Sequence, residues 1–397
     1  MNNIKNAASV LAVLICVAAT SGCKTYSVAP NSRYGGKFVL DGSKIVCRSA
    51  NKYGKESTCL IDVLSQQQCT VTPFATTVFV SGDKQRVALV SAKNRKGFWI
   101  FDLVGSSISR TECSWLLPRE YIVAVSPDLA KVVTVIVPNF LVWRNWPAFL
   151  VAVDGTERRD LTNNKERDFL IPSVQFSEDS RLLVFSDRKD IYVHDMEESE
   201  TRKVYSGSQA SMWFAPSFSH DSSSIVIVSS NGLAIINPDG ASNRPVLETR
   251  VKRVIQGVSH FPIILSPRFS PDGKLIAFWG ELNDESGLFI IGSDGSDLRY
   301  LARSFAHSFQ FSPDGRTILH QFYKHKNRTG LFSDPEGAYT PIELRLVDVA
   351  SGLVTSVSVT SVRSDCFHAP RVGKGGEGRA ERGHPLKAGV KKQKPHL

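Results

Sequence analysis

Short runs of apolar residues, interrupted by polar residues at about every second position, recur along the chain and are separated by tight-turn sequences. The two clearest copies begin at Arg268, RFSPDGKLIAFWG, and at Gln310, QFSPDGRTILHQF. A period of two is typical of a β-strand. In Pro-Asp-Gly, proline restricts φ, the aspartate accepts nearby backbone N–H groups, and glycine supplies positive φ. Each copy therefore predicts a strand, a tight turn and a second strand.

A second turn follows several of these copies. It contains the pairs Asp154-Gly155, Asp239-Gly240 and Asp294-Gly295, each between two further apolar runs. Such pairs predict a third and a fourth strand joined by a hairpin turn. Four short antiparallel strands per repeat are typical of a β-propeller blade.

The aspartate of the first turn recurs with the spacing of a blade. Its positions are Asp41, Asp83, Asp128, Asp179, Asp221, Asp272 and Asp314, which are 42 to 51 residues apart. The sequence therefore predicts an all-β, seven-bladed β-propeller over residues 34–362, with six or eight blades as alternatives and a β-sandwich as the rival fold. A residue present in every repeat serves the repeat, so we assign structural roles in the turns to Asp128, Asp179, Asp221, Asp272, Gly273, Asp314 and Gly315.

The order aromatic-Ser-Pro-Asp-Gly-Lys/Arg, Ile-Ala-Phe, Gly-Leu-apolar, Asp-Gly and Arg-x-Leu resembles the TolB-type propeller repeat, which also occurs in prolyl-oligopeptidase-type peptidases. The match is close over residues 269–301, good over 309–319 and partial elsewhere. The sequence lacks the Gly-x-Ser-x-Gly elbow that the hydrolase domain of those peptidases requires. Because about ten residues separate Cys23 from the first blade, we also expect the small domain that precedes the TolB propeller to be missing.

Residues 1–22 have the shape of a signal peptide, with Lys5 before an uncharged, mostly apolar run. The segment resembles a bacterial lipoprotein signal, with Gly22 before the acceptor Cys23, although Thr20 stands where that motif usually has leucine. An ordinary cleaved signal is the alternative. Lipidation of Cys23 would make residues 23–33 a tether. The resemblance, with Lys24 after the cysteine, implies an outer-membrane lipoprotein that faces the periplasm.

The cysteines and histidines offer two candidate sites. Cys47 and Cys59 are predicted on neighbouring strands of the first blade, where a cross-strand disulfide is plausible in an oxidising compartment. The best metal constellation, at one mouth of the propeller, consists of His260, His307, His320 and His325. We favour scattered surface or loop histidines, and assign no metal and no cofactor.

The composition supports one large domain, because 42% of the 397 residues are hydrophobic. The formal charge is +10, and the segment after Cys366 holds eight basic and two acidic residues. Residues 363–397 are predicted to be a disordered basic tail, with contact to an anionic polymer or lipid, or a frame-shifted remnant, as alternatives. Nucleic-acid binding is not expected, because the folded part lacks a basic stripe with interleaved aromatic residues.

A loop between two strands of the third blade carries Trp143, Arg144 and Trp146. Aromatic residues with arginine are typical of a partner-binding platform, although the loop could instead pack its aromatics on its own blade. We therefore expect a monomeric, lipid-anchored, non-enzymatic scaffold that binds an envelope protein or polymer. The alternative is an enzyme at the propeller mouth, such as a metal-dependent polysaccharide lyase or a hydrolase.

Overall fold

The computed structural model describes residues 33–363 except 51–55, 73–75, 92–96, 137–145, 163–173, 188–189, 208–215, 230, 250–252, 256–257, 261–262, 283–284, 304–308, 324–341 and 358–360. All described residues belong to one compact unit, Met1–Phe367, and a second unit, His368–Leu397, lies outside them. The predicted leader, Cys23 and the basic tail beyond Arg363 also lie outside the described residues. In the described part of the chain, no helix is long and apolar enough to cross a membrane.

Seven antiparallel sheets, each made of four consecutive strands, confirm the predicted seven-bladed propeller. Blade one contains β1 (Arg33–Val39), β2 (Lys44–Ala50), β3 (Glu56–Asp62) and β4 (Gln67–Thr72). Blade two contains β5 (Thr76–Val80), β6 (Arg86–Ser91), β7 (Gly97–Asp102) and β8 (Ser107–Glu112). Blade three contains β9 (Glu120–Val125), β10 (Lys131–Ile136), β11 (Ala148–Ala152) and β12 (Arg158–Asp160). Blades four and five contain β13 (Val174–Phe176), β14 (Leu182–Ser186), β15 (Asp190–Asp195) and β16 (Glu200–Ser206); and β17 (Ser217–Phe218), β18 (Ile225–Ser229), β19 (Gly232–Ile236) and β20 (Asn243–Glu248).

A two-stranded hairpin, β21 (Arg253–Ile255) and β22 (Val258–His260), precedes blade six. Blades six and seven contain β23 (Ile263–Phe269), β24 (Leu275–Leu282), β25 (Glu285–Gly292) and β26 (Arg299–Arg303); and β27 (Phe309–Phe311), β28 (Thr317–Tyr323), β29 (Ile342–Asp348) and β30 (Val354–Ser356). The first strands of neighbouring blades contact one another, for example β9 with β13 and β13 with β17. The first strands therefore surround the central axis, and the fourth strands form the rim.

Both faces of each blade are buried against neighbouring blades. In blade six, Ile276 and Phe278 pack towards blade five, whereas Ala277, between them, packs towards blade seven. All three side chains are inaccessible to solvent. The alternation predicted for this strand is therefore replaced by a continuous apolar run, because no blade face is left to water.

The last strand closes the ring. β31 (Ser361–Arg363) pairs in parallel with β4, with Arg363 opposite Cys69, and so adds a fifth strand to the rim of blade one. A hydrophobic cluster that includes Phe38 and Ile45 of blade one and Leu319 and Leu344 of blade seven fills the joint between the two blades. The two ends of the propeller are thus joined both by backbone pairing and by a shared core.

Candidate functional site

The turn between the first and second strands is built by the same hydrogen bonds in six blades. In blade six, Ser270 Oγ donates to Asp272 Oδ1 at 2.6 Å and accepts from Leu275 N–H at 2.9 Å. Asp272 Oδ1 also accepts from Lys274 N–H at 3.1 Å. The equivalent pairs elsewhere are Ser81 and Asp83, Ser126 and Asp128, Ser177 and Asp179, Ser219 and Asp221, and Ser312 and Asp314. These turns lie on one side of the propeller, which we name the turn face.

One position in each of these turns has positive φ. It holds Gly273 and Gly315 in blades six and seven, with φ of 71° and 72°. The same position holds Lys84, Leu129, Ser180 and Ser222 in blades two to five, with φ between 58° and 65°. A left-handed conformation costs a non-glycine residue roughly 1–2 kcal/mol, so the serine–aspartate bonds must hold the degenerate turns in shape.

Three of the turn aspartates are stabilised as carboxylates by their turn serines. A hydrogen bond from the neighbouring serine hydroxyl is the main cause that lowers the pKa of Asp221, Asp272 and Asp314. Because one oxygen of each carboxylate already accepts the serine hydroxyl and a backbone N–H group, the aspartates support the turns as architecture.

Contacts between turns connect blades two to four on the turn face. Lys84 Nζ of blade two forms an ion pair with Glu178 Oε1 of blade four at 3.0 Å, and so reaches past blade three. Neighbouring turns are also hydrogen-bonded, since Gly82 N–H donates to Pro127 O at 3.0 Å and Asp128 N–H donates to Ser180 Oγ at 3.0 Å. The turns of blades two to four therefore form a connected rim around the axis.

A polar groove of about 310 Å³ opens on the turn face between blades five and six. Its lining includes His220, Asp221, Arg244, Phe269, Asp272 and Ser293. Arg244 Nη2 donates to Ser293 O at 2.8 Å, which ties the two blades together across the groove. The groove presents imidazole, guanidinium and carboxylate groups beside one aromatic ring, a surface suited to hydrogen bonding with a hydrophilic partner.

A ring of equivalent positions lies on the innermost strands, two residues before each turn serine. We name these positions the axial layer: Lys37, Phe79, Ala124, Gln175, Ser217, Arg268 and Gln310, with Val39 in the place of the serine in blade one. Gln310 Oε1 accepts from Phe38 N–H at 3.1 Å, which links blade seven to blade one beside Lys37. The equivalent inner-strand positions of blades one, four, six and seven thus carry a cation or an amide side chain.

The two cations of the axial layer are half-buried. Burial is the main cause that lowers the pKa of Lys37 to about 8, and the positive charges of Arg268 and Lys84 lower it further. Burial also lowers the pKa of Arg268 to about 10. Arg268 Nη1 donates to Pro267 O at 3.1 Å. Within the described chain, no carboxylate pairs with Lys37 or Arg268.

The structure places Cys47 directly opposite Cys59 on β2 and β3, but both residues are thiols, so the predicted disulfide is not formed. Cys59 Sγ is engaged elsewhere, because Gln68 Nε2 donates to it at 3.1 Å. Cys69 is disulfide-bonded.

The predicted partner-binding residues are only partly described. Trp146 is half-buried and packs against the core that blades three and four share, whereas Trp143 and Arg144 lie outside the described residues. Of the candidate histidines, His320 is buried on β28 in blade seven and His260 ends β22. His307 and His325 lie outside the described residues. In the ranges that the structure describes, no three His, Cys, Asp or Glu residues are grouped as metal ligands.

Sequence reasoning missed the axial layer. Its signal is a polar residue two positions before the turn serine, or before its equivalent Val39, in five of the seven repeats: Lys37, Gln175, Ser217, Arg268 and Gln310. An alternating pattern by itself predicts only that such residues form the polar half of a strand. A strand that lines a channel has the same alternation as a strand that faces bulk solvent, so the pattern alone does not distinguish them.

No protein-family model matches the chain. Among solved structures, an oligogalacturonate lyase in complex with manganese is similar with a TM-score of 0.55 at 15% identity, over 82% of this chain and 91% of the lyase. An acylaminoacyl peptidase from Pyrococcus horikoshii is similar with a TM-score of 0.53 at 13% identity, over 83% of this chain and 52% of the peptidase. TolB from Acinetobacter baumannii is similar with a TM-score of 0.42 at 15% identity, over 81% of this chain and 77% of that protein. The chain spans about half the length of the peptidase. At these identities, the likeness to the lyase and the peptidase shows the propeller fold alone.

Proposed function

We propose that this protein is a TolB-like, non-enzymatic propeller scaffold of the cell envelope, and that it binds a protein or polymer partner on the turn face. The observation that supports the proposal most strongly is the structural role of the repeated turn aspartates. In each serine–aspartate turn the carboxylate accepts the serine hydroxyl of the same turn, so the most abundant acidic groups of this face maintain its shape. A rigid polar surface beside a groove is what a binding scaffold requires.

The proposal includes export and a lipid anchor at Cys23. The disulfide bond of Cys69 supports an oxidising compartment. Radiolabelled palmitate should be incorporated into the wild-type protein and not into Cys23→Ala, which should appear in the soluble periplasmic fraction. Equal labelling of the two proteins would remove the anchor from the proposal.

Partner capture tests the scaffold role directly. The full-length protein is crosslinked in solubilised envelope and recovered, in parallel with the double variant His220→Ala and Arg244→Ala. Both side chains line the groove. We expect the double variant to lose its captured partner with a melting temperature within a few degrees of the wild-type value, because groove residues contribute little to the blade cores. Arg159→Ala, at an exposed site on the outermost strand of blade three, is the matched control. Capture that is unchanged in the double variant would contradict binding at the groove.

A second candidate function is an enzyme at this groove, such as a metal-dependent polysaccharide lyase or a hydrolase. The observation that favours it is the presence of an imidazole, a guanidinium and two carboxylates around one space of about 310 Å³. Elemental analysis of the purified protein separates the two functions. A stoichiometric divalent metal, together with turnover of an acidic polysaccharide that is lost in His220→Ala, would favour the enzyme over the scaffold.

A further inference from the structure

The strand that closes the ring is short and lies at the rim. β31 pairs in parallel with the start of β4, with Ser361 opposite Gln67 and Arg363 opposite Cys69. A strand of three residues forms few backbone hydrogen bonds, and segments near a chain end open at low cost unless they are tied down. A covalent bond beside this pairing would therefore decide whether β31 stays in place.

The cysteine opposite the end of β31 is already in such a bond. Cys69 is half-buried on β4, the outermost of the four consecutive strands of blade one, and it is disulfide-bonded. Three other described cysteines are thiols: Cys47, Cys59 and Cys113. The disulfide of Cys69 thus belongs to the region where the chain returns to its first blade.

The strand register points to one partner. Cys366 lies outside the described residues, three positions after Arg363, which is the paired neighbour of Cys69. Paired strands are about 4.8 Å apart, and three further residues reach at most about 10 Å. A disulfide needs a Cα–Cα distance of roughly 4.4–6.8 Å, which this reach allows while β31 stays on β4. The remaining cysteines, Cys16 and Cys23, belong to the predicted leader and to the proposed lipid anchor.

We infer that Cys69 is bonded to Cys366, and that this closing disulfide holds β31 on blade one. When it forms, the two thiols join as one S–S bond, and their two protons and two electrons pass to a disulfide oxidant, which becomes a dithiol. The bond closes a loop of roughly 300 residues, so it strongly restricts the unfolded chain. It also keeps the edge of β4 covered, where open N–H and C=O groups would otherwise pair with another chain. The closing disulfide does not depend on the partner-binding role proposed above.

Peptide mapping identifies the bond directly. The full-length protein is purified, oxidised with glutathione disulfide, alkylated and cleaved on the N-terminal side of aspartate without reductant. Cleavage before Asp62, Asp83 and Asp365 gives two peptides that contain Cys69 and Cys366 as their only cysteines. We expect these peptides to be joined and to separate on reduction. Cys69 joined to any other cysteine, or recovered as an alkylated thiol, would overturn the inference.

Thermal unfolding tests what the bond does. Reductant should lower the melting temperature of the wild-type protein by about 5–10 °C. Cys69→Ser and Cys366→Ser should each show this loss without reductant, and the double variant should lose no more than either, because all three break one bond. Cys113→Ser is the control, since it changes a thiol and should keep the response to reductant. A response that persists in Cys366→Ser, additive losses in the double variant, or a wild-type protein that is insensitive to reductant would overturn the inference.

Discussion

Blade three contains a buried carboxylate, whereas the axial layer contains two half-buried cations, and the two regions differ in the partners of these charges. In blade three, Glu120 is buried and its Oε1 accepts from Arg158 Nη2 at 2.8 Å and from the hydroxyl of Thr134. Its Oε2 accepts from Leu117 N–H at 2.8 Å. In the axial layer, Lys37 and Arg268 have no carboxylate partner among the described residues. Buried charge with a full set of partners maintains a fold, whereas partly buried charge without a carboxylate partner is expected to lower folding stability.

The largest effect is expected from breaking the paired region. Glu120→Ala should lower the free energy of unfolding by about 2–4 kcal/mol, because it leaves the buried hydroxyl of Thr134, the N–H of Leu117 and the partly exposed Arg158 without their acceptor. Urea denaturation measures this loss. Glu157→Ala is the control, since its ion pair with Lys131 spans 2.8 Å at a side chain that is 73% exposed, and its loss should stay below about 0.5 kcal/mol. Equal losses of unfolding free energy in the two variants would contradict the larger contribution expected of the buried Glu120.

A substitution in the axial layer is expected to raise, rather than lower, the free energy of unfolding. Lys37→Met should raise the free energy of unfolding by about 1–3 kcal/mol near neutral pH. The folded-state pKa of about 8 lies below the ordinary value of 10.5, so between these pH values the unfolded chain binds more protons and the wild-type protein gains stability as pH rises. The advantage of the variant should therefore be full below pH 8 and disappear towards pH 10.5. Urea denaturation across this window would contradict the interpretation if the difference between the two proteins stayed constant.

A buried histidine extends the comparison to a group whose neutral form is favoured by burial. His194 on β15 is buried and its Nδ1 lies 2.9 Å from Thr201 Oγ1. Burial is the main cause that lowers its pKa to about 4, from an ordinary value of 6.5. As pH falls from 6.5 to 4 the unfolded chain takes up the proton first, so stability should decrease by about 1–2 kcal/mol over this range. His194→Gln should remove that part of the acid sensitivity in urea denaturation. His220→Gln, at an exposed histidine, should leave it unchanged.

The smallest effect is expected from an uncharged hydrogen bond that supports the axial layer. Ser270 anchors the turn that follows Arg268, and Ser270→Ala should lower the free energy of unfolding by about 1 kcal/mol. The exposed Ser107 on β8 serves as the control, and its replacement by alanine should change stability by only a few tenths of a kcal/mol. A loss for Ser270→Ala as large as that for Glu120→Ala would mean that charge is not what separates the two regions.

The repeats were predictable because their chemistry is local. Pro-Asp-Gly and its degenerate forms identified one turn per blade, and the degenerate turns keep the geometry even where Lys84 or Leu129 replaces glycine at positive φ. The serine two residues before the aspartate carries this tolerance, since it bonds both the carboxylate and the backbone of the next strand. A motif that contains its own hydrogen-bond partners can be identified without knowledge of the rest of the chain.

The candidate site was less predictable because its members are far apart in sequence. The structure pairs Cys47 with Cys59 on neighbouring strands, as the sequence predicted. Strand pairing does not determine which other side chains each sulfur contacts. Gln68, on the next strand, donates to Cys59 Sγ, and the two residues remain thiols. Register places residues opposite each other, but it does not by itself show whether a covalent bond forms between them.

The sequence by itself determined the all-β class, the number of blades and the turns, because strand period and turn hydrogen bonds act over a few residues. Tertiary structure alone decided that β31 adds a fifth strand to blade one, that Lys84 reaches Glu178 past blade three, and that Gln310 of blade seven bonds the backbone of Phe38 in blade one. These contacts exist only once the ring has closed, because closure brings the first and last blades, and the inner strands of all seven, to a common axis.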